Sequence, residues 1–138
     1  MQKKKKTSFI KGFDFAWQGI LWNALNERNM RIHLFVTILV LVLGMIFQLA
    51  LIEWLILLFF IALIPALELV NSAIESTCDV LRDELKLNYK ATKLPRDLAA
   101  GAVLWATIFA IFTGIVIFLP YMLLLFSNLS PIITSGCL

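Results

Sequence analysis

Three carboxylates fall on one stripe of a single predicted helix. They are Glu68, Glu75 and Asp79, within Glu68-Leu69-Val70-Asn71-Ser72-Ala73-Ile74-Glu75-Ser76-Thr77-Cys78-Asp79. At about 100° per residue they lie within about 40° of one another, flanked by Asn71 and Ser72. The stripe follows directly on Trp54 to Leu67, an apolar run with no charge. Ionisable side chains at membrane depth are costly to place and mark functional sites. Carboxylates suit Mg²⁺, which keeps waters and phosphate oxygens among its ligands. A carboxylate can also take the proton of an attacking hydroxyl.

Two other segments carry matching groups. Asn26-Glu27-Arg28-Asn29-Met30-Arg31-Ile32-His33 precedes the first apolar span, and Arg96-Asp97 precedes the last. Topology puts Glu27, Glu75, Asp79, Arg96 and Asp97 in one thin layer at one membrane face, with Glu68 somewhat deeper. Arginine and lysine suit phosphate. The layout can be read as phosphoryl transfer from a metal-bound nucleotide in water to a lipid hydroxyl, with Glu68 as base. Charged layers at helix ends also pair with each other or set topology, so for those residues both readings stay open. Glu68 and Asn71 lie inside the apolar zone, where the cost of burial favours function. Asp14, Asp83 and Glu84 read as solvated charges. His33, the sole histidine, reads as a hydrogen-bonded structural residue. There is no G-x-x-x-x-G-K-[ST] and no G-x-G-x-x-G. Cys78 and Cys137 form neither a disulfide framework nor a metal cluster.

The elements that must position these groups are membrane helices. The chain has 138 residues, 61% of them hydrophobic and 15% charged, with mean hydropathy +0.91. A soluble domain averages about 25% charged. One membrane-embedded unit over 1–138 is expected, with three spans and no room for a separate nucleotide-binding domain. No secretory signal peptide is expected. Every Lys and Arg lies in one of two blocks, Lys3 to Arg31 and Arg82 to Arg96. The positive-inside rule puts both in the cytoplasm, with the N-terminus inside and the C-terminus outside a cell membrane. Residues 8–26 predict an amphipathic surface helix, with Phe9, Ile10, Phe13, Trp17, Ile20, Leu21 and Ala24 on its apolar face. Lys3 to Lys6 read as a tail drawn to anionic lipid.

The expected membrane helices are 33–52, 54–79 and 98–120, followed by an external tail over 121–138. Gln48 and Glu53 mark the first turn, and Trp54 reads as an interface anchor. Pro65 is a candidate kink, and Pro95 favours a break before the last helix. Ala99, Ala100, Gly101 and Ala102 allow close helix contact. No nucleic-acid partner is expected. A small oligomeric pore or assembly subunit would share three spans and a basic tail. It would have no need of a carboxylate stripe answered by carboxylates in two other segments.

The motifs together resemble a known family, the small prokaryotic membrane kinases that phosphorylate diacylglycerol or, in Gram-positive bacteria, undecaprenol. The pattern E-x-x-N-[ST]-A-x-E-x-x-x-D is met by Glu68, Asn71, Ser72, Ala73, Glu75 and Asp79. Glu27 to His33 is similar to the family's E-x-N-x-R-x-H segment, and Arg96 to Val103 to its K-D-x-A-A-G-A-V segment. The resemblance covers about residues 8–125.

It implies an all-α integral membrane protein, with a surface helix and three spans per subunit in a homotrimeric helical bundle. Its site would lie between subunits at the cytoplasmic face. It implies ATP as donor, Mg²⁺ as cofactor and a membrane lipid alcohol as acceptor. By resemblance Glu68 is the catalytic base, and Glu27 and Glu75 hold the metal on ATP. Asn71 lines the site toward both nucleotide and lipid and orients neighbouring groups, Asp79 and Asp97 shape the nucleotide region, and Gly19 lies near the nucleotide. The family's phosphate-contacting lysine falls at Arg96, whose planar fork is not equivalent to an ammonium; Lys93 is one turn earlier. The E-R-N-x-R-I-H form and the A-A-G-A-V segment look more like the undecaprenol branch, with diacylglycerol as the alternative acceptor.

Overall fold

The computed structural model describes residues 9–86 and 88–135, with side chains as far as Ser127. Lys3 to Lys6, Ser8 and Cys137 lie outside the described residues. The described chain is all helical: α1 (Phe9–Asn26), α2 (Arg28–Ile46), α3 (Leu51–Leu85) and α4 (Tyr89–Ser135). The last three are long and apolar enough to cross a membrane. They are antiparallel neighbours, and α4 packs mainly on α3. α1 keeps its apolar face open, with Phe9, Phe13 and Trp17 exposed, as an interfacial helix would.

The helix limits differ from those expected. The turn after α2 comes early because Gln48 takes a left-handed conformation (φ 52°). Glu53 is not in that turn. It sits in the first turn of α3, where its carboxylate accepts the Ala50 N–H at 2.7 Å. α3 runs unbroken through Pro65 and ends at Lys86, again left-handed (φ 53°). Pro95 does not break the chain. Asn88 supplies the start signal instead, its Oδ1 accepting the Lys90 N–H at 3.1 Å, so α4 begins at Tyr89. α4 also continues past Pro120, where the expected tail begins, to Ser135. Neighbouring membrane helices tolerate the one backbone bond a proline removes.

The turn end of the bundle is closely packed. Leu49, Leu57 and Ile117 form its core, with Phe47, Trp54, Phe118 and Tyr121 against them. The Phe47 ring lies 5.7 Å from Tyr121 and 6.1 Å from Phe118. Tyr121 donates its hydroxyl to Glu53 at 2.8 Å, tying α4 to α3. Trp54, read as an interface anchor, is half-buried and packs on Gly44. A Cβ at Gly44 would sit 2.7 Å from the Trp54 ring and 3.3 Å from Leu49. We expect Gly44→Ala to lower stability by about 1–3 kcal/mol, the usual cost of overpacking. Thermal unfolding in detergent measures it; an unchanged midpoint would mean that Trp54 turns outward freely.

Candidate active site

The site is built on α3. The buried residues of that helix are Leu57, Ile64, Glu68, Asn71, Ser72 and Cys78. Their spacing keeps them on one face. That face is apolar as far as Ile64 and polar from Glu68 to Ser72, so polar groups occupy what would otherwise be core. Glu68 is 2% exposed, the largest fully buried side chain among the described residues. Burying a carboxylate is costly unless polar groups meet it. Asn29 and His33, one turn apart on α2, are those groups. The sequence reads His33 as a hydrogen-bonded structural residue and Asn29 only as part of the polar segment before α2, and it places neither against Glu68. Their i, i+4 spacing on the face toward α3 was the available signal.

Two cavities open on this face. One, of about 280 Å³, is bordered by Asn29, His33, Glu68, Asn71 and Glu75, with Ala100, Val103, Leu104 and Thr107 of α4 as its far wall. The other, of about 320 Å³, is bordered by Trp22, Glu27, Ser72, Glu75, Ser76, Asp79, Val80, Asp83 and Glu84. Glu75 borders both. The predicted stripe is therefore real, and it is divided: Glu68 and Asn71 face a half-apolar cavity, and Asp79 faces an acidic one. Glu27, from the α1–α2 junction, meets Glu75 across the acidic cavity. Asp83 and Glu84, read from the sequence as solvated charges, also border it.

Asn71 is fixed between the two. Its Nδ2 donates to Glu75 Oε1 at 3.1 Å. An ionised carboxylate only accepts, so this bond sets which way the amide points. The opposite atom, Oδ1, is buried with no hydrogen-bond partner. A buried acceptor without a donor is uncommon and needs a reason. Asn71 borders the same cavity as Glu68.

Arg96, Asp97 and Gly19 border neither cavity. Gly19 lies in α1 with nothing within 4 Å of where a Cβ would stand. Asp97 is exposed. Arg96 is turned onto Asp79, with its two terminal nitrogens at 3.0 and 3.5 Å from the carboxylate oxygens. Arg82 reaches the same carboxylate at 3.1 Å. Asp79 thus gathers two guanidinium groups, and Arg96 serves as a clamp between α3 and α4. Arg96→Lys keeps the charge and loses the fork. It should hold activity within about fivefold, the range of a partly exposed ion pair, in initial-rate assays. A hundredfold loss would instead place Arg96 on the substrate. Gly101 also departs from expectation. Within one chain α4 packs inward through Val103 and Ala106, and a Cβ at Gly101 would have nothing within 4 Å.

A buried carboxylate in a half-apolar cavity, joined through one shared side chain to an acidic cavity at the same end of a membrane bundle, defines an enzyme acting where lipid meets water. Sequence comparison supplies the family. The profile described as Prokaryotic diacylglycerol kinase matches residues 14–118. An undecaprenol kinase of Bacillus subtilis (strain 168) is 38% identical over 112 residues, which cover 81% of this chain and 89% of that protein. A diacylglycerol kinase of Synechocystis sp. is 33% identical over 116 residues, 84% of this chain and 65% of that protein. The chain belongs to the prokaryotic diacylglycerol kinase family and is an ATP-dependent membrane lipid kinase.

Proposed function

We propose that this kinase phosphorylates undecaprenol, giving undecaprenyl phosphate. The observation that carries the choice is the 38% identity to an undecaprenol kinase over 89% of that protein's length. The second reading, diacylglycerol as acceptor, draws on the more partial match to a diacylglycerol kinase. A side-by-side assay of labelled phosphate transfer from ATP to each lipid separates them. Labelling of undecaprenol at the higher rate supports the proposal, and a clear preference for diacylglycerol sinks it.

Glu68 is the base. The lipid hydroxyl enters the half-apolar cavity and donates its one hydrogen bond to the Glu68 carboxylate, with Asn71 beside it on the same wall. Its oxygen attacks the γ-phosphorus of ATP, the bond from that phosphorus to the bridging oxygen breaks, and ADP leaves. The hydroxyl proton passes to Glu68. Glu75 stands between the cavities and, through Asn71, keeps the acceptor in register with the donor.

Glu27 and Glu75 would hold Mg²⁺, which neutralises triphosphate charge when bound. Their setting fits that ion: two carboxylates on an open cavity leave room for waters and phosphate oxygens. Among the described residues no three His, Cys, Asp or Glu gather as a closed metal cage. Mg²⁺ rarely uses such a cage.

The bundle works as a homotrimer in the cell membrane, N-terminus inside and C-terminus outside. Placement of the Lys and Arg residues supports this topology. Asp97 and Gly19, remote from both cavities within one chain, would reach the nucleotide of a neighbouring subunit's site in such an assembly.

A further inference from the structure

The acidic cavity has an electrostatic difficulty that points to a binding residue. Among its lining residues there are five carboxylates and no Lys or Arg. A triphosphate there needs a cation to screen it, and the proposed holders of one are Glu27 and Glu75, since Arg82 and Arg96 are already paired with Asp79. The neutral part of the nucleotide must then take the remaining wall. Only two lining residues are apolar, Trp22 from α1 and Val80 from α3. Both residues are 57% exposed.

Their positions suit a base held away from the phosphates. Trp22 precedes Glu27 by five residues, and Val80 follows Glu75 by five. At 1.5 Å per residue each is about 7–8 Å along its helix from the metal-holding pair. The backbone at Trp22 is anchored while its ring is not covered. Asn26 donates to the Trp22 carbonyl at 2.7 Å, and the adjacent Asn23 is buried at 3% exposure. An indole is the largest π-face a side chain can offer, and base stacking on it needs no hydrogen-bond readout.

We infer that the purine of ATP stacks on the Trp22 indole at the mouth of the acidic cavity, with Val80 as its second apolar contact. This rests on the reading of the acidic cavity as the nucleotide side. It makes Trp22 a determinant of nucleotide choice, since a purine covers more of the ring than a pyrimidine does.

The test uses the full chain in lipid or detergent. Trp22→Ala should raise the KM for ATP about tenfold to a hundredfold, the range for losing one stacked base. It should leave kcat within about twofold, as expected when uniform binding is lost. It should also flatten the preference for ATP over CTP, while Trp22→Phe keeps most of it. Mg-ATP should quench tryptophan fluorescence in the native chain and quench it less in Trp22→Phe. An unchanged ATP KM and base preference, with a raised KM for lipid, would make Trp22 a membrane anchor and overturn the inference. Glu75→Gln separates the two levels. If that variant keeps native Mg-ATP affinity, the cavity is not the nucleotide side and both readings fall. If it loses affinity and Trp22→Ala does not, only the stacking role falls.

Discussion

Glu68→Gln is expected to abolish turnover, by about a thousandfold or more, while Mg-ATP affinity stays within about twofold of native. The substitution keeps shape and polarity and removes the ability to take a proton. Glu68 is 2% exposed, so water cannot readily take over its role. Glu75 also borders that cavity, but its Oε1 already accepts from Asn71. The nucleotide side should be untouched, because Glu68 does not border the acidic cavity. Labelled-phosphate transfer to lipid and equilibrium binding of a fluorescent ATP analogue measure the two halves. Retained turnover would remove Glu68 from the role of base. Loss of ATP binding together with turnover would make it part of the nucleotide site.

Glu75→Gln should fail differently. Glutamine retains an oxygen that can accept from Asn71 Nδ2, so the register of the two cavities survives. The negative charge does not. Activity should fall by about a hundredfold or more, the scale of losing one electrostatic partner at a reacting phosphate. The Mg²⁺ concentration for half-maximal rate should rise as well, because a hard cation has lost a carboxylate. A Mg²⁺ titration of initial rates checks both. A variant slowed to the same extent at every Mg²⁺ concentration would show that Glu75 does not hold the metal.

Much of this site can be read from the chain because helical periodicity does the placing. Glu68, Asn71, Glu75 and Asp79 repeat at spacings that keep one face, and each borders a cavity on that face. The span count follows from apolar length alone. What periodicity cannot give is the angle at which one helix meets another. Asn29 and His33 reach Glu68 only through the packing of α2 on α3. Arg96 reads equally as a phosphate contact or as a helix-end ion pair, and only the packing of α4 on α3 brings it to Asp79, seventeen positions away. Local signals also compete. Pro95 argues for a break, while Asn88 seven residues earlier starts the helix and prevails. Trp54 reads as an interface anchor, and that reading gives no hint that its ring also fills the space at Gly44.

The two ends of the bundle are closed by different means. At the turn, Trp54 lies against Gly44, and Leu49, Leu57 and Ile117 interlock. At the other end, Asp79 draws in Arg82 and Arg96, with side chains 23–42% exposed. Packing is insensitive to salt, whereas partly exposed ion pairs weaken as the screening length falls from about 10 Å at 0.1 M to about 3 Å at 1 M. The chain is therefore riveted at one end and latched at the other. The latch lies where Asp79 borders the acidic cavity and Arg96 ties α4 to it. Salt can therefore loosen α4 from α3 at that end while the apolar packing at the turn stays closed.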